Sequence, residues 1–427
     1  MRVHYLFMIF FIAITSSANA EEVTYSGSLN YANGSLNYQI EVTNTENQAS
    51  VFFTSIEMNA YQIPALNVNL SNDSLNFYIV SDSYTYEYKF KKLDSGLTGK
   101  LNIYANETDE LLNTIESVLT KKETGTSEIK EEEVTFQSNG LQLKGTIWKP
   151  NKPNNRCLFL VTSSQGSDRS ASSAEAYYFA SKGFVVFNYD KRGTGKSEGN
   201  WKSATIEELA ADDINGILFI STTNQIPLSR IGIKGSSQGG IKIPYILSKL
   251  PALKFGISVS CPDGTLLESD LNNWRNSNID KIGKENINIA TRTQKVSYEY
   301  LAGITTFQTI ENFAKKYNTQ SWYKYIWIPE KEIAKDEKLK FSGLPYFKTA
   351  KQPILLIQGT SDVVIPENSY KVIEKTLRTA GNKSYHIVIL KNASHSMTIV
   401  DNNFPYFQKI APTYFSEITN WIDNLKD

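Results

Sequence analysis

The sequence predicts an α/β protein: a mostly parallel sheet with helices on both faces, preceded by a smaller antiparallel β domain. Three observations predict it. The 427 residues exceed one ordinary domain. From Glu133 onward, short continuous apolar runs alternate with segments of helical spacing, the pattern of strands covered on both faces. From Glu21 to about residue 120 the runs are short and β-like, and turns rich in Asn, Gly and Ser separate them.

Residues 1–20 read as a secretory signal. Arg2 supplies the positive end, Tyr5 to Ile14 is an apolar core too short to span a membrane, and Ala18-Asn19-Ala20 is a cleavage site. The mature chain is therefore expected to begin at Glu21, secreted or periplasmic, with no integral membrane segment after cleavage. Lys and Arg (44) balance Asp and Glu (44), which argues against nucleic acid or an anionic membrane as the main partner. Cys157 opens one apolar strand and Cys261 closes another. Those positions lie at opposite edges of a parallel sheet, too far apart for a disulfide, so two buried free thiols are expected.

The segment 21–120 is expected to form a small all-β domain, a barrel or sandwich. Tyr84, Tyr86, Tyr88 and Phe90 alternate with polar residues, as in a half-exposed strand. Residues 121–132 are expected to be a linker, and the spacing over Glu110 to Leu119 suggests a helical start that could belong to either side of it. The second domain is expected over 133–427. It opens with a hairpin around Asn139-Gly140. Strands follow at Cys157–Thr162, Phe184–Tyr189, Arg230–Lys234, Phe255–Ser260, Pro353–Gln358 and Tyr385–Leu390. Helices are expected at Ser172–Ser181, Thr205–Thr222, Gln238–Leu250 and Pro366–Ala380, with a last one ending near Leu425. Thr205 to Glu208 is a capping box. An aromatic-rich insertion, about 262–350, interrupts the strands. Ligands of such sheets sit at the carboxyl ends of the strands.

The chemistry gathers there. Gly235-Ser236-Ser237-Gln238-Gly239-Gly240 is a G-x-S-x-G turn between a strand and a helix, the context of a nucleophile elbow. Ser237 is the candidate nucleophile, and the Gln238 N–H at the helix start a candidate oxyanion donor. The chain has three His. His4 lies in the signal and His386 inside a strand, which leaves His395 as the base. Asp362, in the turn after Pro353–Gln358, is the candidate carboxylate. A second oxyanion donor should come from the turn Thr162-Ser163-Ser164-Gln165, whose small polar residues permit close backbone approach.

With Tyr189-Asp190-Lys191-Arg192-Gly193-Thr194-Gly195-Lys196-Ser197, a D-x-R-G-x-G-x-S loop, these motifs resemble the α/β-hydrolase fold over roughly Glu133 to Asp427. Within it the chain is similar to bacterial secreted acyl esterases and dienelactone-hydrolase-like enzymes with a small N-terminal β domain. The resemblance implies Ser237 as nucleophile, Asp362 as acid, His395 as base, Asp190 and Arg192 as structural, and the insertion as a helical cap over the serine. Relatives carry His-Gly-Ser-Gly or His-Gly-Gly at the oxyanion turn, and here the His and first Gly are replaced. The second donor is Ser164 or Gln165.

The expected function is hydrolysis of carboxylic esters of small molecules through an acyl-enzyme. No metal or cofactor is implied, because no H-E-x-x-H or Cys/His cluster is present. A peptidase of the prolyl-oligopeptidase type, or a thioesterase, would use the same triad. A non-catalytic carbohydrate- or lipid-binding protein is the alternative of another class. The oligomeric state is left open.

Overall fold

The computed structural model describes residues 21–32, 34–45, 48–122, 129–164, 166–401 and 404–425. The expected signal, Gln165 and residues 123–128 of the expected linker lie outside them. The chain forms two compact units. The first holds the described residues up to Thr54 and those from Gln62 onward that precede the gap; the second holds Ser55–Tyr61 and the described residues from 129 on.

The first unit is one antiparallel sheet of nine strands. They are β1 (Glu21–Tyr31), β2 (Gly34–Asn44), β3 (Ala49–Ser55), β4 (Ala60–Pro64), β5 (Leu66–Leu70), β6 (Ser74–Val80), β7 (Tyr84–Leu93), β8 (Gly96–Ala105) and β9 (Leu111–Lys121). Their order is β4-β3-β2-β1-β9-β8-β7-β6-β5. Period-2 burial drives it: in β2 the fully buried Leu36 and Ile40 alternate with more exposed neighbours. Phe77 and Tyr88 stack at 4.7 Å between centroids inside the sheet. The expected helix over Glu110 to Leu119 is corrected. That segment is β9, the strand that joins β1 to β8, with Ile115, Ser117 and Leu119 facing inward.

The second unit is an eight-stranded sheet of β10 (Ile129–Ser138), β11 (Leu141–Pro150), β12 (Cys157–Leu160), β13 (Val185–Tyr189), β14 (Ile231–Ser236), β15 (Phe255–Val259), β16 (Ile354–Gly359) and β17 (Tyr385–Leu390). Its order is β10-β11-β13-β12-β14-β15-β16-β17. The β10–β11 hairpin pairs antiparallel to β13, and the rest run parallel. The hairpin begins at Ile129, so residues expected in the linker are already strand.

Helices α1 (Ser173–Ser181), α2 (Ile206–Thr223), α3 (Gln238–Lys249), α8 (Ser369–Thr379) and α9 (Tyr414–Asp423) cross between strands or follow them. The insertion supplies α4 (Leu266–Ile282), α5 (Ile287–Leu301), α6 (Phe307–Tyr317) and α7 (Leu344–Phe347). Along β12, Cys157 and Phe159 pack on one face with Ile217 of α2 and Ile243 of α3. Leu158 and Leu160 pack on the other with Phe179 of α1 and Ile418 of α9. Each such side chain, fully buried, contributes about 1.5–3 kcal/mol. Cys157 starts β12 and Cys261 follows the end of β15; both thiols are free and buried.

Two features went unread in the sequence. Thr265 and Glu268 form a second capping box at α4. After His395, β18 (Thr398–Asp401) and β19 (Phe404–Ile410) form a two-stranded hairpin. No helix among the described residues is long and apolar enough to cross a membrane.

Candidate active site

Parallel strands deliver their turns to one edge of the sheet, and three of those turns carry the site. The first follows β14. Ser237 sits at φ 55° and ψ −120°, a conformation that costs an L-residue about 1–3 kcal/mol. Surrounding bonds hold it. The Ser237 N–H donates to the Val259 carbonyl at 2.9 Å, and the Ile241 N–H donates to the Ser237 carbonyl at 3.2 Å. Ser258 Oγ donates to the Gly240 carbonyl at 2.8 Å. Gly235 is required here because a Cβ would come within 2.5 Å of the Gly239 carbonyl oxygen. Gln238 is the first residue of α3; its side-chain Oε1 is buried without a hydrogen-bond partner.

The second turn follows β16. The Asp362 side chain is fully buried. Its Oδ1 accepts the N–H groups of Val364 at 2.9 Å and Ile365 at 3.2 Å, which orients the carboxylate. The third turn follows β17 and carries His395. His395 Nδ1 lies 2.9 Å from Asp362 Oδ2 and 3.1 Å from Oδ1. The two turns are tied by backbone as well: the Ser361 N–H donates to the Ala393 carbonyl at 3.0 Å. His395 keeps 22% of its side chain exposed, so the ring is anchored on one side and open on the other.

Ser237 and His395 line one cavity of about 310 Å³, together with Ser163, Ser164 and Lys191. Ser163 Oγ donates to the Ser236 carbonyl at 2.8 Å, which ties the turn after β12 to the elbow. The sequence-derived residues Ser237, Asp362, His395, Gln238 and Ser164 thus gather at the ends of β12, β14, β16 and β17. Gln165 is outside the described residues. No residue between 262 and 350 lines this cavity, so the aromatics of the insertion do not form its wall. Asp190 and Arg192 hold their loop: Asp190 accepts from the Arg169 and Lys196 N–H groups, each at 2.9 Å, and Arg192 pairs with Asp212 at 2.6 Å. His386 lies exposed on β17, away from the other two turns.

Sequence reasoning missed three buried ammonium groups around the elbow. Lys242 pairs with Asp213 at 2.6 Å, with both side chains fully buried. Burial lifts the Asp213 carboxyl above the ordinary carboxylate value, although Lys242 and the Tyr189 hydroxyl oppose it. Lys234 pairs with Glu175 at 2.7 Å and reaches Ser236 Oγ at 3.2 Å. Burial pulls the Lys234 ammonium down, but Glu175 and the Tyr414 hydroxyl together outweigh it and hold the group above the ordinary lysine value. Glu175 Oε1 is buried without a hydrogen-bond partner. Lys191 donates to the carbonyls of Ser163 and Ser164. Their carboxylate and carbonyl partners lie tens of residues away in the chain, so no local pattern announces them. Among the described residues no cluster of His, Cys, Asp or Glu has the arrangement of a metal site.

Comparison with known proteins gives the chain a family. Residues 139–397 match the family described as X-Pro dipeptidyl-peptidase (S15 family). No curated protein matches the chain. Similar solved structures include an esterase of Pyrococcus furiosus, 16% identical, which covers 71% of this chain and 98% of its own at a TM-score of 0.46. Another is the α/β hydrolase GrgF of a Penicillium species, 15% identical, covering 69% of this chain and 96% of its own at 0.43. The family match spans the elbow, the acid turn and the histidine loop, more than half of the chain, and on it the protein belongs to the X-Pro dipeptidyl-peptidase (S15) family of α/β hydrolases.

Proposed function

We propose that the protein is a secreted or periplasmic serine hydrolase of carboxylic esters, and that Ser237, His395 and Asp362 are its catalytic triad. The observation that carries the reading is the Asp362–His395 pair at 2.9 Å on the same cavity as the strained Ser237. Asp362 accepts a hydrogen bond from Nδ1–H, which keeps the proton on that nitrogen and leaves Nε2 as the basic one. His395 takes the Ser237 proton as Oγ attacks the ester carbonyl, and returns it to the leaving alcohol. Water repeats the sequence and frees the acid. The oxyanion meets the N–H of Gln238, at the start of α3, and a second N–H from the turn after β12, such as that of Ser164. Each such donor is worth about 10²–10³ in rate. Residues 1–20 direct export, and the mature chain starts at Glu21.

The family description makes cleavage of X-Pro peptides the second reading. Such a substrate presents an α-ammonium, which calls for a carboxylate. Two carboxylates line the cavity: Glu175 meets Lys234 at 2.7 Å and keeps its buried Oε1 without a partner, and Asp168 Oδ1 accepts from the Ser170 N–H at 2.9 Å. The test is purified mature protein on 4-nitrophenyl acetate, butyrate and octanoate beside an Ala-Pro 4-nitroanilide. Ester turnover with the anilide untouched supports the reading, and the reverse ranking establishes the peptidase.

A further inference from the structure

Lys191 is the least expected group at the cavity. It sits between Asp190 and Arg192, in a loop whose other charges are structural, yet it is only 2% exposed. Its Nζ donates to the carbonyls of Ser163 at 2.7 Å and Ser164 at 3.0 Å, and it stands 4.2 Å from the centre of the Trp201 ring. Trp201 also backs Gly166, where an added Cβ would lie 3.2 Å from the indole. The turn after β12 is therefore held from behind by an ammonium and an indole, and from the front by the Ser163–Ser236 bond.

Resting on the hydrolase reading above, we infer that Lys191 is a positioning residue that aims the second oxyanion donor. In a trans peptide the C=O and the following N–H point in opposite directions. An ammonium that grips the Ser163 carbonyl thus turns the Ser164 N–H away from Lys191. Ser164 and Ser237 line the same cavity. Donor direction decides how much an oxyanion hole contributes, and a misplacement of about 1 Å can cost about 10²-fold. A charge-assisted bond to each of two consecutive carbonyls is stiffer than the loop's own short side chains could make it. The charge has a second effect, because a cation buried beside the hole favours the developing oxyanion.

Titration of Lys191 gives the inference a signature. Burial pushes its ammonium down to about 7; the positive charges of Lys242 and Lys338 act in the same direction, and Asp213 opposes them. Arg169, Asp168, Glu175, Lys234 and His395 line the same cavity. Above that pH the group loses its charge and one of its three N–H donors, and the grip weakens.

The experiment is phosphonylation of the full-length mature protein by a fluorophosphonate, which needs no knowledge of the natural substrate. Ser237 Oγ displaces fluoride at phosphorus, and the phosphoryl oxygen occupies the oxyanion hole. Rates are compared for wild type, Lys191→Met, Lys191→Gln and Ser237→Ala, with thermal melting as a check of folding. The expected result is a labelling rate about 100-fold lower in Lys191→Met, with an intermediate rate in Lys191→Gln, which keeps an N–H donor. Wild type should also slow above a pH of about 7 in a way that Lys191→Met does not. On an ester, the same variant should lose kcat and keep KM. A folded Lys191→Met that labels at the wild-type rate overturns the inference and leaves the hydrolase reading intact. Labelling that survives Ser237→Ala overturns both. Labelling of Ser237 without ester turnover removes the ester reading alone, and the Lys191 comparison then decides on the labelling rates.

Discussion

Ser260 Oγ donates a 2.7 Å hydrogen bond to the backbone carbonyl of His395, across 135 residues of chain. Ser260 is fully buried at φ 46°, and its own N–H is held by the Ile357 carbonyl at 2.8 Å. The end of β15 therefore props the loop that carries the imidazole. Ser260→Ala leaves a carbonyl of that loop without its donor, at a cost of about 1–3 kcal/mol. Chemical denaturation should show that loss, and kcat should fall about tenfold with KM nearly unchanged. Unaltered kcat would mean the loop is held without this bond.

Gly359 closes β16 just before the acid turn. A Cβ there would fall well inside the carbonyl oxygen of Ala393, within the histidine loop. The absence of a side chain is what lets the Asp362 and His395 turns approach. Gly359→Ala should separate them, with a stability loss of about 1–3 kcal/mol and a loss of activity out of proportion to it. Equal activity per folded molecule would contradict this.

Lys242 and Asp213 are buried without exposure on either side. Lys242 also donates to Thr162 Oγ1 at 2.9 Å, next to the turn that Lys191 grips. Removing one partner leaves an uncompensated charge, so Lys242→Met should cost about 3–5 kcal/mol. Lys242→Met with Asp213→Leu should recover part of that loss in a double-mutant cycle. Simple addition of the two single losses would show that the pair is not coupled.

Burial pushes the thiols of Cys157 and Cys261 up to about 12. The thiolate is the reactive form. Neither Cys should react with a disulfide-exchange reagent at pH 8 in the native protein, and both should react in denaturant. Fast labelling of the native fold would contradict their burial.

The elbow, acid turn and histidine loop were legible because each follows a continuous apolar strand and because only three histidines compete for one role. Strand β9 was not. Its residues Leu111, Leu112, Ile115, Val118 and Leu119 have helical spacing, and the strand turns Val118 outward while Ser117 faces the core. Ser117 is tolerated there because its hydroxyl meets the Tyr38 hydroxyl at 2.7 Å, a partner that local spacing cannot reveal. The β18–β19 hairpin hid for a related reason. Phe404, Phe407 and Ile410 are buried at intervals of three, where a regular strand would show intervals of two, and the ladder has an irregularity at Val400/Asp401. Lys191, Lys234 and Lys242 carried no readable role in the sequence, because the groups that accept from them come together only in the fold.

The most direct test of the central claim is the steady-state hydrolysis of 4-nitrophenyl butyrate by wild type, Ser237→Ala and Asp362→Asn, with folding checked by circular dichroism. The account predicts turnover by wild type and none above background for Ser237→Ala. It predicts a kcat lower by about 10⁴ for Asp362→Asn, whose amide would hold the wrong imidazole tautomer. Undiminished turnover by folded Ser237→Ala would contradict it.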